Sequence, residues 1–142
     1  GRPVTIVSRE TFAPGLFQRP IMKTRATALI PFVPSGPDFD VAIAFFADLG
    51  FETAWRNGDI AGLRFGGAYF MLQNIDVPVW QENQMHVVEV DDLDAYWADI
   101  DALGLPAKYA GVRTKPPTDY PWGREVHIID PAGVCWHFRK AR

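Results

Sequence analysis

The chain holds a single cysteine, Cys135, in 142 residues. That excludes an intrachain disulfide, and with it the small secreted folds that several disulfides staple together. An excess of positive charge is missing too, since 14 lysines and arginines face 17 aspartates and glutamates. With a net charge of −3 there is no basic face of the kind that holds a nucleic acid. No apolar run approaches the roughly 18 residues of a membrane span, and no signal-peptide pattern opens the chain, so the cytoplasm is the expected location. A Gly-rich phosphate loop, a nucleophile elbow and a pair of catalytic carboxylates are likewise absent. Histidine is scarce: His86, His127 and His137 are all there are.

Apolar and aromatic residues are plentiful. At 48% apolar and 13% aromatic, with five tryptophans, the composition suits one domain with a substantial core. Residues 1–21 differ from the rest, with Pro3, Pro14 and Pro20 scattered through a stretch of no periodicity. They read as an amino-terminal extension ahead of Met22, or as an arm that packs on a partner chain. They carry three arginines against Glu10 alone, which leaves residues 22–142 with 11 basic and 16 acidic groups and a net charge of −5. Such a balance favours cationic partners over anionic ones.

The most informative feature is an internal repeat. "TALIPFV" (27–33) and "MHVVEV" (85–90) read as strands rich in β-branched residues, and each leads through an acidic stretch into an amphipathic helix. In the second helix Leu93, Tyr96, Trp97, Ile100 and Leu103 fall at helical spacing behind Asp91, Asp92 and Asp94. In the first, Val41, Ile43, Ala44, Phe46 and Ala47 give a looser stripe after Asp38 and Asp40. Both helices stop at a glycine followed by an apolar residue, "LGF" (49–51) and "LGL" (103–105). Strands then lead to a glycine hinge and a last apolar strand: "IAGLRFGGAYFMLQN" (60–74) and "VHIIDPAGVCWHFRK" (126–140). Aligning Gly67 with Gly133 sets Tyr69, Met71 and Gln73 on Cys135, His137 and Arg139. Each unit therefore reads β-α-β-β-β, module one over about 27–76 and module two over about 85–140. Neither module buries both its surfaces alone, so the expectation is an α+β domain in which the two pair into one curved, mostly antiparallel sheet with a concave cleft. The second module is longer between helix and hinge. The extra residues fall in "KYAGVRTKPPTDYPW", which reads as a Pro-rich loop serving a site.

These residues carry a resemblance. Paired modules with "DFDVAIAFFADLGF" in one and "VEVDDLDAYWADIDALGL" in the other resemble the vicinal oxygen chelate superfamily (glyoxalase, bleomycin resistance protein, dioxygenase). "PSGPDFD...FFADLGF" and "PWGREVHIIDPAGVCWHF" are similar to bleomycin resistance proteins in particular. The match runs over about residues 27–140.

The resemblance implies a test for metal. Enzymes of that superfamily bind a divalent ion with side chains from the first and last strand of each module. The equivalent positions here are Ala28, Met71, Met85 and His137. One imidazole, two thioethers and a methyl do not supply the three or so nitrogen or oxygen donors that Zn, Mn or Fe(II) require, so neither metal nor cofactor is expected. Strand alternation points His86 to the helix side, as a satisfied histidine under a helix, and His127 reads as a hydrogen-bonded strand residue. Cys135 and His137 share a face, but an acidic chain does little to activate a thiol, so Cys135 reads as a buried small residue and no catalytic residue is assigned.

What remains is a pocket. The concave face is expected to present Ile30, Phe32, Tyr69, Met71, Gln73, Met85, Val87, Glu89, Cys135 and His137. Trp55, Trp80, Tyr120 and Trp122 lie near its mouth, with Trp97 and Trp136 in the core. Phe32, Trp55, Tyr69, Met71, Met85, Glu89, Tyr120, Trp122 and His137 are the candidate ligand-binding residues, a composition that suits a flat aromatic or cationic compound. Bleomycin resistance proteins bind their drug without a protein metal and as dimers whose clefts use both chains. The resemblance thus implies a homodimeric, non-enzymatic protein that sequesters a small molecule. The rival is a metal-dependent lyase or dioxygenase of the same superfamily.

Overall fold

A computed structural model describes residues 19–142. The suggested arm therefore lies outside the described residues except for its last three, of which Ile21 is almost fully exposed.

The chain runs β1 (Phe32–Pro34), α1 (Phe39–Asp48), β2 (Glu52–Asn57), β3 (Ile60–Phe65), β4 (Ala68–Gln73), α2 (Pro78–Gln81), β5 (Met85–Val90), α3 (Leu93–Leu103), α4 (Leu105–Lys108), β6 (Arg113–Tyr120), β7 (Gly123–Ile129) and β8 (Cys135–Lys140). This is the α+β class expected, as two βαβββ modules. The strands hydrogen-bond as two four-stranded sheets, ordered β1-β4-β3-β2 and β5-β8-β7-β6, instead of the single sheet anticipated. Each sheet has one parallel pair, with Phe32 opposite Met71 in the first and Val87 opposite His137 in the second.

The helix starts follow from their caps. Asp38 accepts a hydrogen bond from Val41 N, and Asp92 one from Ala95 N, both at 3.0 Å. Helix α3 ends at Gly104, whose φ of +62° is a left-handed conformation that glycine adopts without strain. The buried stripe of α1 is Phe39, Ala42, Phe45 and Phe46. Of the stripe expected there, Phe46 alone is buried, and Val41, Ala44 and Ala47 are exposed. Four alanine and valine positions left the phase of a ten-residue helix ambiguous, and the large phenylalanines set it.

Two further expectations change. Strand β1 is short, so 27–31, expected as strand, precedes it, with Pro31 O still accepting from Met71 N at 2.9 Å. The Pro-rich stretch is an edge strand, not a loop: β6 pairs with β7, with a register shift between Lys115 and Thr118 where Pro116 and Pro117 sit. Proline is tolerated there because the outer side of an edge strand donates no ladder hydrogen bond.

One core serves both modules. Trp136 of β8 packs on Phe46 of α1 at 5.2 Å and on Phe70 of β4 at 5.1 Å, between ring centroids. Tyr96 of α3 lies between Phe65 of module one and Phe138 of module two, and its hydroxyl donates to Leu49 O at 2.8 Å. Trp97 packs against the same core. Asp130 closes the last hairpin, accepting from Ala132 N, Val134 N and the Trp136 indole at 2.8–3.0 Å. Each sheet gives one face to this core and leaves the other for a site.

Candidate functional site

The outward faces follow from strand alternation. In β5, Met85, Val87 and Glu89 are exposed while Val88 and Val90 are buried. In β8, Trp136 and Phe138 are buried and Cys135, His137 and Arg139 lie on the other face. The same alternation puts Tyr69, Met71 and Gln73 outward in β4.

On module one, Trp55 of β2 reaches across β3, and its indole N–H donates to the Tyr69 hydroxyl at 2.7 Å. Gly62 lies beneath this contact. A Cβ there would collide with the Trp55 indole and the Tyr69 hydroxyl, so glycine is what lets the two rings meet. The Arg64 guanidinium sits 4.5 Å from the Tyr69 ring centroid. Phe32, half exposed, and Met71, partly buried, complete this wall.

On module two the wall is a column of rings. Trp122 stacks on Tyr120 at 4.9 Å and 7° between planes, and Tyr120 stacks on His127 at 5.1 Å and 13°. His127 meets His137 at 4.1 Å. The Lys115 ammonium lies 5.1 Å from the Tyr120 ring. Trp122, at the outer end, is 58% exposed and so has a ring face free to stack.

Beneath the column lies Glu125, which sequence reasoning did not assign. It is 3% exposed, and its Oε1 accepts from His127 Nε2 at 2.9 Å and from His137 Nδ1 at 3.0 Å. Burial pushes its carboxyl up, but these two bonds, helped by Trp122, outweigh burial and hold it at about 2. With neutral imidazoles this arrangement fixes both tautomers. His127 Nδ1 is left to face the Tyr120 hydroxyl at 3.4 Å, and His137 Nε2 is buried with no partner among the described residues. The signal was legible in part, because Glu125 and His127 are two apart on one strand. The hydrogen bonding expected of His127 does not by itself say which side chains share its face.

The nine candidates thus fall into two groups. Phe32, Trp55, Tyr69 and Met71 line the first sheet, whereas Met85, Glu89, Tyr120, Trp122 and His137 line the second. No hydrogen bond or ring contact joins the groups among the described residues. Glu89, expected to point into the cleft, is paired with Arg139 at 3.1 Å. Trp80 sits on α2 and is 63% exposed.

Three sequence expectations need correction here. The register Phe32 to Met71 matches Val87 to His137, so the counterpart of Met85 is Ile30, not Ala28. The four superfamily metal positions are then Ile30, Met71, Met85 and His137, which still hold one imidazole and no carboxylate and do not fit a divalent ion. His86 is not satisfied. Its ring lies on Trp136 at 4.7 Å, its Nε2 is buried without a partner among the described residues, and it lines a cavity of about 300 Å³ between the modules. Burial lowers its pKa, which disfavours the charged form of this partly buried histidine. Cys135 is partly buried, not buried. Burial, with Asp130 and Glu125 nearby, raises its pKa, and a thiol so placed is a poor nucleophile.

No protein-family model matches the chain, and no match is found among curated proteins. Solved structures do match. A bleomycin-binding protein from the bleomycin producer Streptomyces verticillus, complexed with copper(II)-bleomycin, is 26% identical with a TM-score of 0.69, covering 84% of this chain and 99% of that one. A bleomycin-binding protein complexed with bleomycin is 22% identical with a TM-score of 0.71, covering 82% and 100%. A fosfomycin resistance protein from Listeria monocytogenes, complexed with Mn(II) and sulfate, is 15% identical with a TM-score of 0.63, covering 83% and 93%. The class is therefore plain: the chain has the vicinal oxygen chelate fold shared by glyoxalases, bleomycin resistance proteins and dioxygenases. Within that fold it is similar to bleomycin-binding proteins and to a fosfomycin resistance protein.

Proposed function

We propose that this protein binds and sequesters a small aromatic, cationic compound without altering it, as a homodimer that joins the two walls across chains. The observation that carries the reading is the ring column Trp122–Tyr120–His127, which ends in an exposed indole face on an acidic domain. A planar cation gains from stacking there, at about 0.5–2 kcal/mol, and from the negative field. The superfamily metal positions hold no adequate ligand set, which supports binding over catalysis. Half-exposed Phe32, Met85 and Val87 stand on β1 and β5, edge strands of their sheets, as surfaces that a second copy would cover. The similarity to two bleomycin-binding proteins supports the ligand class.

The test is a titration of tryptophan fluorescence with bleomycin and with simpler aromatic cations, with a chelator present. Saturable quenching that weakens as salt rises is the expected result. Anionic aromatics binding as well as cationic ones would refute the reading of the pocket, and sedimentation of a monomer alone at micromolar concentration would refute the dimer.

A further inference from the structure

The superfamily metal positions and the histidine–carboxylate cluster are different places on module two. Of the cluster, His137 alone occupies one of those positions. Glu125 and His127 stand on β7, an interior strand that supplies none of them.

We propose that Glu125, His127 and His137 form a binding site for a divalent transition ion, Zn(II) by preference, on the cleft wall of module two. The donor set is two imidazoles and a carboxylate, which suits Zn(II), Co(II) or Fe(II) and leaves coordination positions open. One ligand atom from each residue lies within 4.8 Å of the others. His127 Nε2 and His137 Nδ1 stand 2.9 and 3.0 Å from the same Glu125 oxygen. With metal–ligand bonds of about 2.0–2.1 Å, donors at right angles are about 3.0 Å apart and tetrahedral donors about 3.4 Å. Both nitrogen–oxygen separations thus match ligand spacing before any ion enters.

The frame holding them is rigid. His127 and His137 are directly paired across the antiparallel β7–β8 ladder, with Glu125 two residues along. The core behind them includes Val126, Ile128, Trp136 and Phe138, all 2% exposed or less. When the ion binds through His127 Nε2 and His137 Nδ1, the proton each neutral imidazole carried there shifts to its other ring nitrogen with no net release, and His127 Nδ1–H then faces the Tyr120 hydroxyl as its acceptor.

The site goes beyond the ligand-binding reading and is tested without any organic ligand. Zn(II) is titrated calorimetrically into the chelator-treated dialysed chain, with Co(II) as an optical and paramagnetic probe. One ion per chain is expected, with a rise in melting temperature. Co(II) should shift the imidazole proton resonances of His127 and His137 most strongly, a measurement that needs no variant. Glu125→Gln, His127→Gln and His137→Gln should each weaken binding by about tenfold or more, and His86→Gln should not. Absence of stoichiometric binding overturns the proposal, as does wild-type affinity in His127→Gln or loss of binding in His86→Gln. Fluorescence titration of aromatic cations with a chelator present reports on the pocket alone, so the two readings fail separately.

Discussion

The two modules are one skeleton used twice, and equivalent positions carry opposite chemistry. In module one Met71 pairs with Gly62 and Gln73 with Ile60; in module two His137 pairs with His127 and Arg139 with Glu125. Ile60, Gly62 and Met71 thus occupy the lattice points of Glu125, His127 and His137. The first set makes room for a Trp55–Tyr69 contact at the surface, and the second buries a carboxylate under two imidazoles. Duplication fixes where side chains stand. It does not fix what they do.

The largest test asks whether the modules are separable at all. Trp136→Ala removes the ring that ties β8 to Phe46 and Phe70 of module one. It should cost about 3–5 kcal/mol, with module-one and module-two probes melting together in denaturant. Separate transitions would mean that the shared core is less than it looks.

The next effect lies within module two and depends on pH. Glu125, held at about 2 against an ordinary 4.5, contributes stability that is complete above pH 4.5 and lost as pH falls toward 2. His127 and His137 face it throughout. Burial pushes Asp130 up to about 6 from 3.8, despite its hydrogen bonds from Trp136 and the Val134, Ala132 and Gly133 amides. Its folded state favours the proton, so its contribution is complete below pH 3.8 and lost as pH rises through 6. Each displacement corresponds to about 3 kcal/mol at about 1.4 kcal/mol per pH unit. Together they should place this hairpin's stability maximum near pH 4, which urea unfolding across pH 2–7 would show. Glu125→Gln should flatten the acid limb.

A smaller effect compares the two walls. Trp122→Ala should weaken aromatic cations by about tenfold, since about 1.4 kcal/mol of stacking is a factor of ten. Gly62→Ala should displace the Trp55 indole from Tyr69 at a cost of about 1 kcal/mol, because the obstructed groups are side-chain ends free to swing away. A changed Trp55 fluorescence with near-normal stability is the expected result. The least effect is at Glu89. Its carboxylate is already tied to Arg139 and both are solvated, so Glu89→Gln should move stability by under about 1 kcal/mol and cation affinity little.

The sequence by itself determined the repeat, the fold class, the helix caps and the faces of the later strands. Those features rest on local rules: a period of two or 3.6, an aspartate before a helix, a glycine after one. Met85 and His86 point as alternation required, and Trp136 is in the core. Tertiary structure decided the rest. The phase of α1 was set by which phenylalanines fit under Trp136, not by the alanine-rich stripe. Pro116 and Pro117 became strand because β7 offered an edge to pair with. Glu125 became part of a site because ladder register, which no single strand encodes, set His127 opposite His137 over a buried carboxylate. Pairing across strands is a long-range property, and there the local pattern falls silent.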